Sequence, residues 1–179
     1  QFEALGRSWL SSWFRLNPVS ATQVGSHIVD GELDDLSLKG RTAALALARD
    51  TLAQLEAIDR GTLSRENQID YAILRNQLQS EVWTIETLQS WAWDPQVYSQ
   101  LAGSAIYSLM AREFAPLPER LKAATLRMEK LPALFAQARE NLNPERVPAI
   151  HAETVAKQHN GILGLVDQFI TPNLGQLGE

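Results

Sequence analysis

No cysteine occurs among the 179 residues, and that absence removes disulfides, thiolate zinc sites and thiol nucleophiles together. It leaves the compartment open, because disulfide-free chains occur both in the cytoplasm and in the bacterial periplasm. Histidine is scarce, with three residues, and 16 basic side chains face 21 acidic ones. A net charge of −5 and a pI near 5.3 argue against a phosphate-binding surface, so no nucleic-acid partner is expected. No apolar run approaches the roughly 20 residues a membrane-spanning helix needs, so no transmembrane segment is expected. A basic n-region with a small-residue cleavage site is also missing, and the abrupt start inside an amphipathic pattern favours a trimmed chain.

Sustained period-two alternation is absent as well, and with it the signal for strands. Low-complexity tracts and repeats of solenoid period are lacking too. What remains is helical periodicity in a chain of one-domain length, enough to bury about 70% of its unfolded surface. The expected architecture is all-α, a single domain forming an antiparallel bundle of about seven helices.

Phe2, Leu5, Trp9, Trp13 and Leu16 recur at spacings of three and four and predict an opening helix that stops before Asn17-Pro18. A short helix follows from Pro18 to about Val24, then a loop from Gly25 to Leu36. Ser37 caps a helix carrying Leu45, Ala48, Leu52 and Leu55, and Ser64 caps one carrying Ile69, Ile73, Leu74, Leu78, Val82, Ile85 and Leu88. The next spans Gln96 to Phe114 and is broken by Ala115-Pro-Leu-Pro118. A long helix from about Pro118 to Leu142 should kink at Pro132, which cannot donate its backbone hydrogen bond. A last helix, about Pro148 to Ile170, closes before Thr171-Pro172.

Chemistry is harder to find. His151 and His159 are eight residues apart, about 12 Å along a helix axis, whereas zinc to nitrogen distances are near 2.0 Å. They cannot share one ion, and with His27 they read as surface or helix-packing residues. His151-Ala-Glu153 has the form of a zinc deaminase motif but lacks its two cysteines. Asp30, Glu32, Asp34 and Asp35 lack the glycine and terminal glutamate of a calcium loop and read as a solvated acidic loop. Gly161 and Gly164 lack phosphate-loop spacing and are expected to permit close helix packing. Arg112, Arg120 and Arg127 suit either a carboxylate-binding role or ion pairing with Glu113, Glu119 and Glu129, and ion pairing is the expectation. No catalytic or metal-binding residue emerges.

The most distinctive run is Trp91-Ala-Trp93-Asp94-Pro95 with Tyr98. Its aromatics suit core anchoring, and they equally suit one wall of a ligand cleft. Trp91, Trp93, Tyr98 and Arg112 are therefore the candidate cleft-lining residues.

In order along the chain, Leu16-Asn-Pro18, Leu52-Ala-Gln-Leu-Glu-Ala-Ile-Asp59, Trp93-Asp-Pro95 with Tyr98, Glu119-Arg-Leu121, Arg127-Met-Glu-Lys-Leu-Pro132 and Ala138-Arg-Glu-Asn-Leu142 resemble the N-terminal part of the bacterial family known as domain of unknown function 885. That resemblance implies a longer, largely helical zinc peptidase, found in the periplasm or as an outer-membrane lipoprotein. Its zinc would sit on a His-Glu-x-x-His helix and a downstream glutamate that match nothing between residues 1 and 179. The implied role of this chain is then non-catalytic: to wall or cover the cleft, with the C-terminal remainder of the same protein as partner and a peptide as substrate. No cofactor is expected in this chain itself. A self-contained interaction module docking through the Trp91 to Tyr98 ridge, or a degenerate peptidase that binds without cutting, are the other readings.

Overall fold

The computed structural model describes residues 1–176, with the side chains of His159 and Gln176 outside that description. Every regular element among these residues is helical. The main helices are α1 (Phe2–Leu16), α2 (Pro18–Gln23), α3 (Leu38–Glu56), α4 (Arg65–Trp83), α5 (Ser90–Trp93), α6 (Gln96–Met110), α7 (Leu117–Met128), α8 (Leu131–Asn141) and α9 (Ala149–Leu165). Taking α7 with α8 as one bent helix, and setting aside the four-residue α5, gives the expected seven.

The caps are local chemistry. Ser37 accepts the Gly40 N–H at 3.2 Å and Ser64 the Asn67 N–H at 3.3 Å, each satisfying a donor that the first turn leaves free. Pro18 starts α2, where its missing N–H is no loss.

Three packed clusters hold the bundle. Phe2, Ala48, Leu55, Tyr71, Leu74 and Leu78 join α1, α3 and α4. Ile106, Leu109, Leu121, Ala124 and Ile170 join α6, α7 and the turn after α9. Tyr98, Ala102, Leu134 and Ala138 join α6 to α8. Each buried aliphatic side chain contributes roughly 1.5–3 kcal/mol.

Several boundaries move. The 118–142 helix bends at Glu129-Lys130, and Pro132 sits just beyond the bend in the first turn of α8, where proline is tolerated. The sixth helix stops at Met110, four residues short of Phe114. The last helix does close at Ile170 as expected, running as α-helix to Leu165 and as a π-turn over Val166–Ile170, and a 3₁₀ segment over Thr171–Gln176 follows. Gly161 and Gly164 have open space where a Cβ would stand, so close packing is not their role; Gly103 on α6 instead lies against Ile162 and Leu165 of α9.

The expected arginine–glutamate pairs do not form either. Arg127 is 0% exposed and spends its donors on the carbonyls of Pro18, Glu32 and Ala105 and the hydroxyls of Thr22 and Ser108. Arg120 is also buried and donates to the Ala115, Met110 and Leu109 carbonyls. A guanidinium carries five donors in a planar fork and can close several backbone ends at once. The acidic loop is correspondingly less solvated than its composition suggests: Asp34 accepts the Val19 N–H at 3.0 Å and Asp30 the Thr22 hydroxyl at 2.6 Å.

Candidate functional site

The aromatic run is shaped by the end of α4. There the helix widens into a π-turn over Thr84–Leu88 and stops at Gln89, whose φ of +53° is the one positive value outside glycine among the described residues. Widening leaves carbonyls without helical partners. Trp91 donates its indole N–H to Ile85 O at 3.1 Å, and Trp93 donates to Leu88 O at 2.8 Å. The two tryptophans of α5 thus close the end of the preceding helix.

Tyr98 ties this end to the rest of the bundle. Its hydroxyl donates to Trp91 O at 2.7 Å and accepts from Asn141 Nδ2 at 3.0 Å. Burial pushes its phenol above the ordinary value, with Asn141 and Arg41 opposing. Asn141 reaches Leu36 O at 2.8 Å and takes a bond from Arg41 at 2.8 Å. The Arg41 guanidinium lies over the Trp91 ring, 3.8 Å from its centroid, a cation–π contact.

Beside this network opens a cleft of about 340 Å³, its walls including Trp13, Asp34, Arg41, Glu81, Trp91 and Val97. Burial pushes the Asp34 carboxyl up to about 6, against the lowering effects of the Val19 N–H and Arg127. Burial raises Glu81 as well. A cleft with two indoles, a fixed guanidinium and two reluctant carboxyls has the composition of a binding site. It can hold a chain that is part polar and part apolar.

Of the four residues singled out in the sequence, three meet at this end of the bundle and one does not. Trp91 lines the cleft. Tyr98, 2% exposed, stands behind it. Trp93 faces His151, with ring centroids 5.7 Å apart. Arg112 lies past the far end of α6, about 20 Å from Tyr98 by helical rise, and donates to Gln23 O at 3.1 Å. Sequence reasoning missed Arg41, Asp34 and Glu81, whose approach to Trp91 depends on tertiary packing and leaves no local pattern.

His27 and His151 take structural partners. His27 stacks on Phe114 at 3.7 Å and bonds Asp30 at 2.9 Å, and His151 bonds Asp94 at 2.9 Å. Among the described residues no three histidine or carboxylate side chains cluster closely enough to hold a metal ion.

Fold and site together define an all-α helical bundle with a cleft walled by aromatic and charged side chains. Residues 18–176 match the family model described as bacterial protein of unknown function, DUF885, and the chain belongs to that family. A solved structure from Shewanella oneidensis, described as a "putative lipoprotein of unknown function", superposes with a TM-score of 0.85 at 31% identity. The match covers 92% of this chain and 30% of that one, so this chain spans under a third of its neighbour's length. No curated protein matches it.

Proposed function

We propose that this chain is the non-catalytic N-terminal helical part of a zinc metallopeptidase, walling or covering a cleft whose metal centre lies elsewhere in a longer polypeptide. The observation that carries the reading is the family match over residues 18–176 joined to a neighbour in which the equivalent region is 30% of the chain. The ordered motifs from Leu16-Asn-Pro18 to Ala138-Arg-Glu-Asn-Leu142 support the peptidase assignment by resemblance. The cleft beside Trp91 supports a role in holding an extended ligand, because its walls offer aromatic faces, a guanidinium and carboxyls together. Zinc, when bound by the remainder, would polarise the scissile carbonyl and activate water. Residues of this chain would position and desolvate the peptide.

The bacterial envelope is the proposed location, supported by the neighbour's description as a lipoprotein. No helix among the described residues is long and apolar enough to cross a membrane, which suits attachment by a lipid as well as a free protein. Reading the native coding region past codon 179 tests the proposal: a His-Glu-x-x-His motif with a later glutamate is expected, and a stop codon at that point overturns it.

A self-contained interaction module docking through Trp91 to Tyr98 has less support. Tyr98 is buried, and both indole N–H groups are already bonded within the chain.

A further inference from the structure

α4 has more apolar surface than its neighbours cover. Tyr71, Leu74 and Leu78 enter the core with α1 and α3, whereas Ile69 and Ile73, on the same sequence stripe, remain 47% and 63% exposed. One helix face cannot bury positions 73 and 74 against the same partner when successive residues point about 100° apart. α1 repeats the pattern: Phe2 is buried while Leu10 is 39% exposed. Between the two helices runs a groove of about 910 Å³, its walls including Phe2, Gly6, Trp9, Leu10, Trp13 and Ile73.

Two features mark this groove as more than scattered surface leucines. Trp9, which lines the groove, buries its indole N–H with no acceptor, a state that most buried donors avoid. Gly6 meets nothing within 4 Å of where a Cβ would stand, so the floor is open to a bulky side chain. Exposed apolar positions on a helical pair, rimmed here by Glu3, Arg7, Asn67, Asp70 and Gln77, are the usual seat of another amphipathic helix. The groove and the Trp91 cleft share two lining residues, Trp13 and Gln77.

We infer that the α1–α4 groove seats an amphipathic helix of the same polypeptide, contributed by sequence beyond residue 179. This rests on the proposed reading of the chain as the N-terminal part of a longer protein. The occupant is argued from the neighbour, in which 70% of the chain lies outside the matched region. A segment tethered to the groove binds at high effective concentration, so an apolar face needs no separate partner. Such a helix would present side chains at i, i+3 and i+4 to Leu10 and Ile73 and bring the remainder of the protein against the Trp13 end, whose indole also lines the cleft.

The test uses the polypeptide from its complete native reading frame, with photoreactive benzoylphenylalanine in place of Ile73 or, as control, of the exposed Ile150 on α9. Irradiation is expected to join position 73 to a peptide beyond residue 179 within a species of monomer mass, and position 150 to give no such product. A product of doubled mass, showing a second copy in the groove, or the absence of any link beyond residue 179, overturns the inference. The substitution Ile73→Asp should lower the denaturation midpoint of the complete polypeptide and leave that of the 179-residue chain unchanged; equal effects on both also overturn it. Zinc and a His-Glu-x-x-His motif found with no link at position 73 would sink the groove and keep the peptidase. A link found without that motif would do the reverse.

Discussion

The guanidinium of Arg127 donates to the hydroxyl of Thr22 at 2.7 Å across 105 residues of sequence, with both side chains buried. Thr22 passes the contact on, donating to Asp30, which bonds His27. Through this chain of bonds one arginine on α7 fastens α2 and the loop of residues 24–37 onto α6. Burial lowers the guanidinium's proton affinity, while Asp30 and Asp34 act to raise it.

Replacing Arg127 with methionine keeps much of the volume and removes every donor. The Glu32 carbonyl would then be left unpaired near the core, while the Pro18 and Ala105 carbonyls would lose a donor additional to those of their own helices; an unsatisfied buried group costs about 1–3 kcal/mol. Arg127→Met is expected to destabilise the chain by roughly 2–4 kcal/mol in urea denaturation. Arg127→Lys should recover only a minor part, because an ammonium cannot span the fork of acceptors.

Asp34 gives the fold a pH dependence of defined sign. Its carboxyl ionises at about 6 in the fold against an ordinary 3.8, so the unfolded chain releases this proton first. The stability it contributes is complete below about pH 3.8 and is lost as pH rises through about 6. Asp34→Asn keeps an acceptor for the Val19 N–H and removes the ionisation. The variant is expected to be more stable than the parent at pH 7, by roughly 1–2 kcal/mol after allowance for solvent screening, and equal to it at pH 4. Parallel denaturation curves at the two pH values check this.

Gly40 sits in the first turn of α3, where a Cβ would stand 1.9 Å from the Asp35 carbonyl oxygen. Alanine is the better helix former by about 1 kcal/mol, yet here the contact is with backbone. Gly40→Ala is expected to destabilise by about 2 kcal/mol, with the shift in thermal midpoint as readout. A stabilised variant would show that the loop of residues 24–37 yields easily.

At Gln89 the opposite substitution should help. Its left-handed backbone, φ +53°, costs a non-glycine residue about 1 kcal/mol, and its side chain makes only exposed bonds to Arg146 and Glu86 O. Gln89→Gly is expected to be neutral or stabilising by up to about 1 kcal/mol in the same assay.

The helices were legible because their causes are local. Ser37 and Ser64 cap where capping chemistry puts them, and Pro18 and Pro118 stand in the first turns of α2 and α7. The break near Pro132 was legible as a disturbance, not as a place, since proline excludes only the turn before it. Arg120 and Arg127 were misread because their spacing from glutamates is a helix-surface rule, while burial on three sides is decided by elements up to 109 residues away. Ile73 belonged to the apolar stripe in sequence, and only the packing of α4 against α3 and α1 leaves it outside. The candidate cleft was half legible: Trp91 announced itself by composition, whereas Arg41, Asp34 and Glu81 reach it from separate elements.

The most direct test of the account is metal content per chain, measured side by side on the 179-residue chain and on the polypeptide from the complete native reading frame after incubation with zinc and desalting. One zinc per complete polypeptide, with peptide hydrolysis, and none retained by the 179-residue chain is the predicted result. Zinc retained by the short chain, or peptide hydrolysis by it alone, would contradict the account.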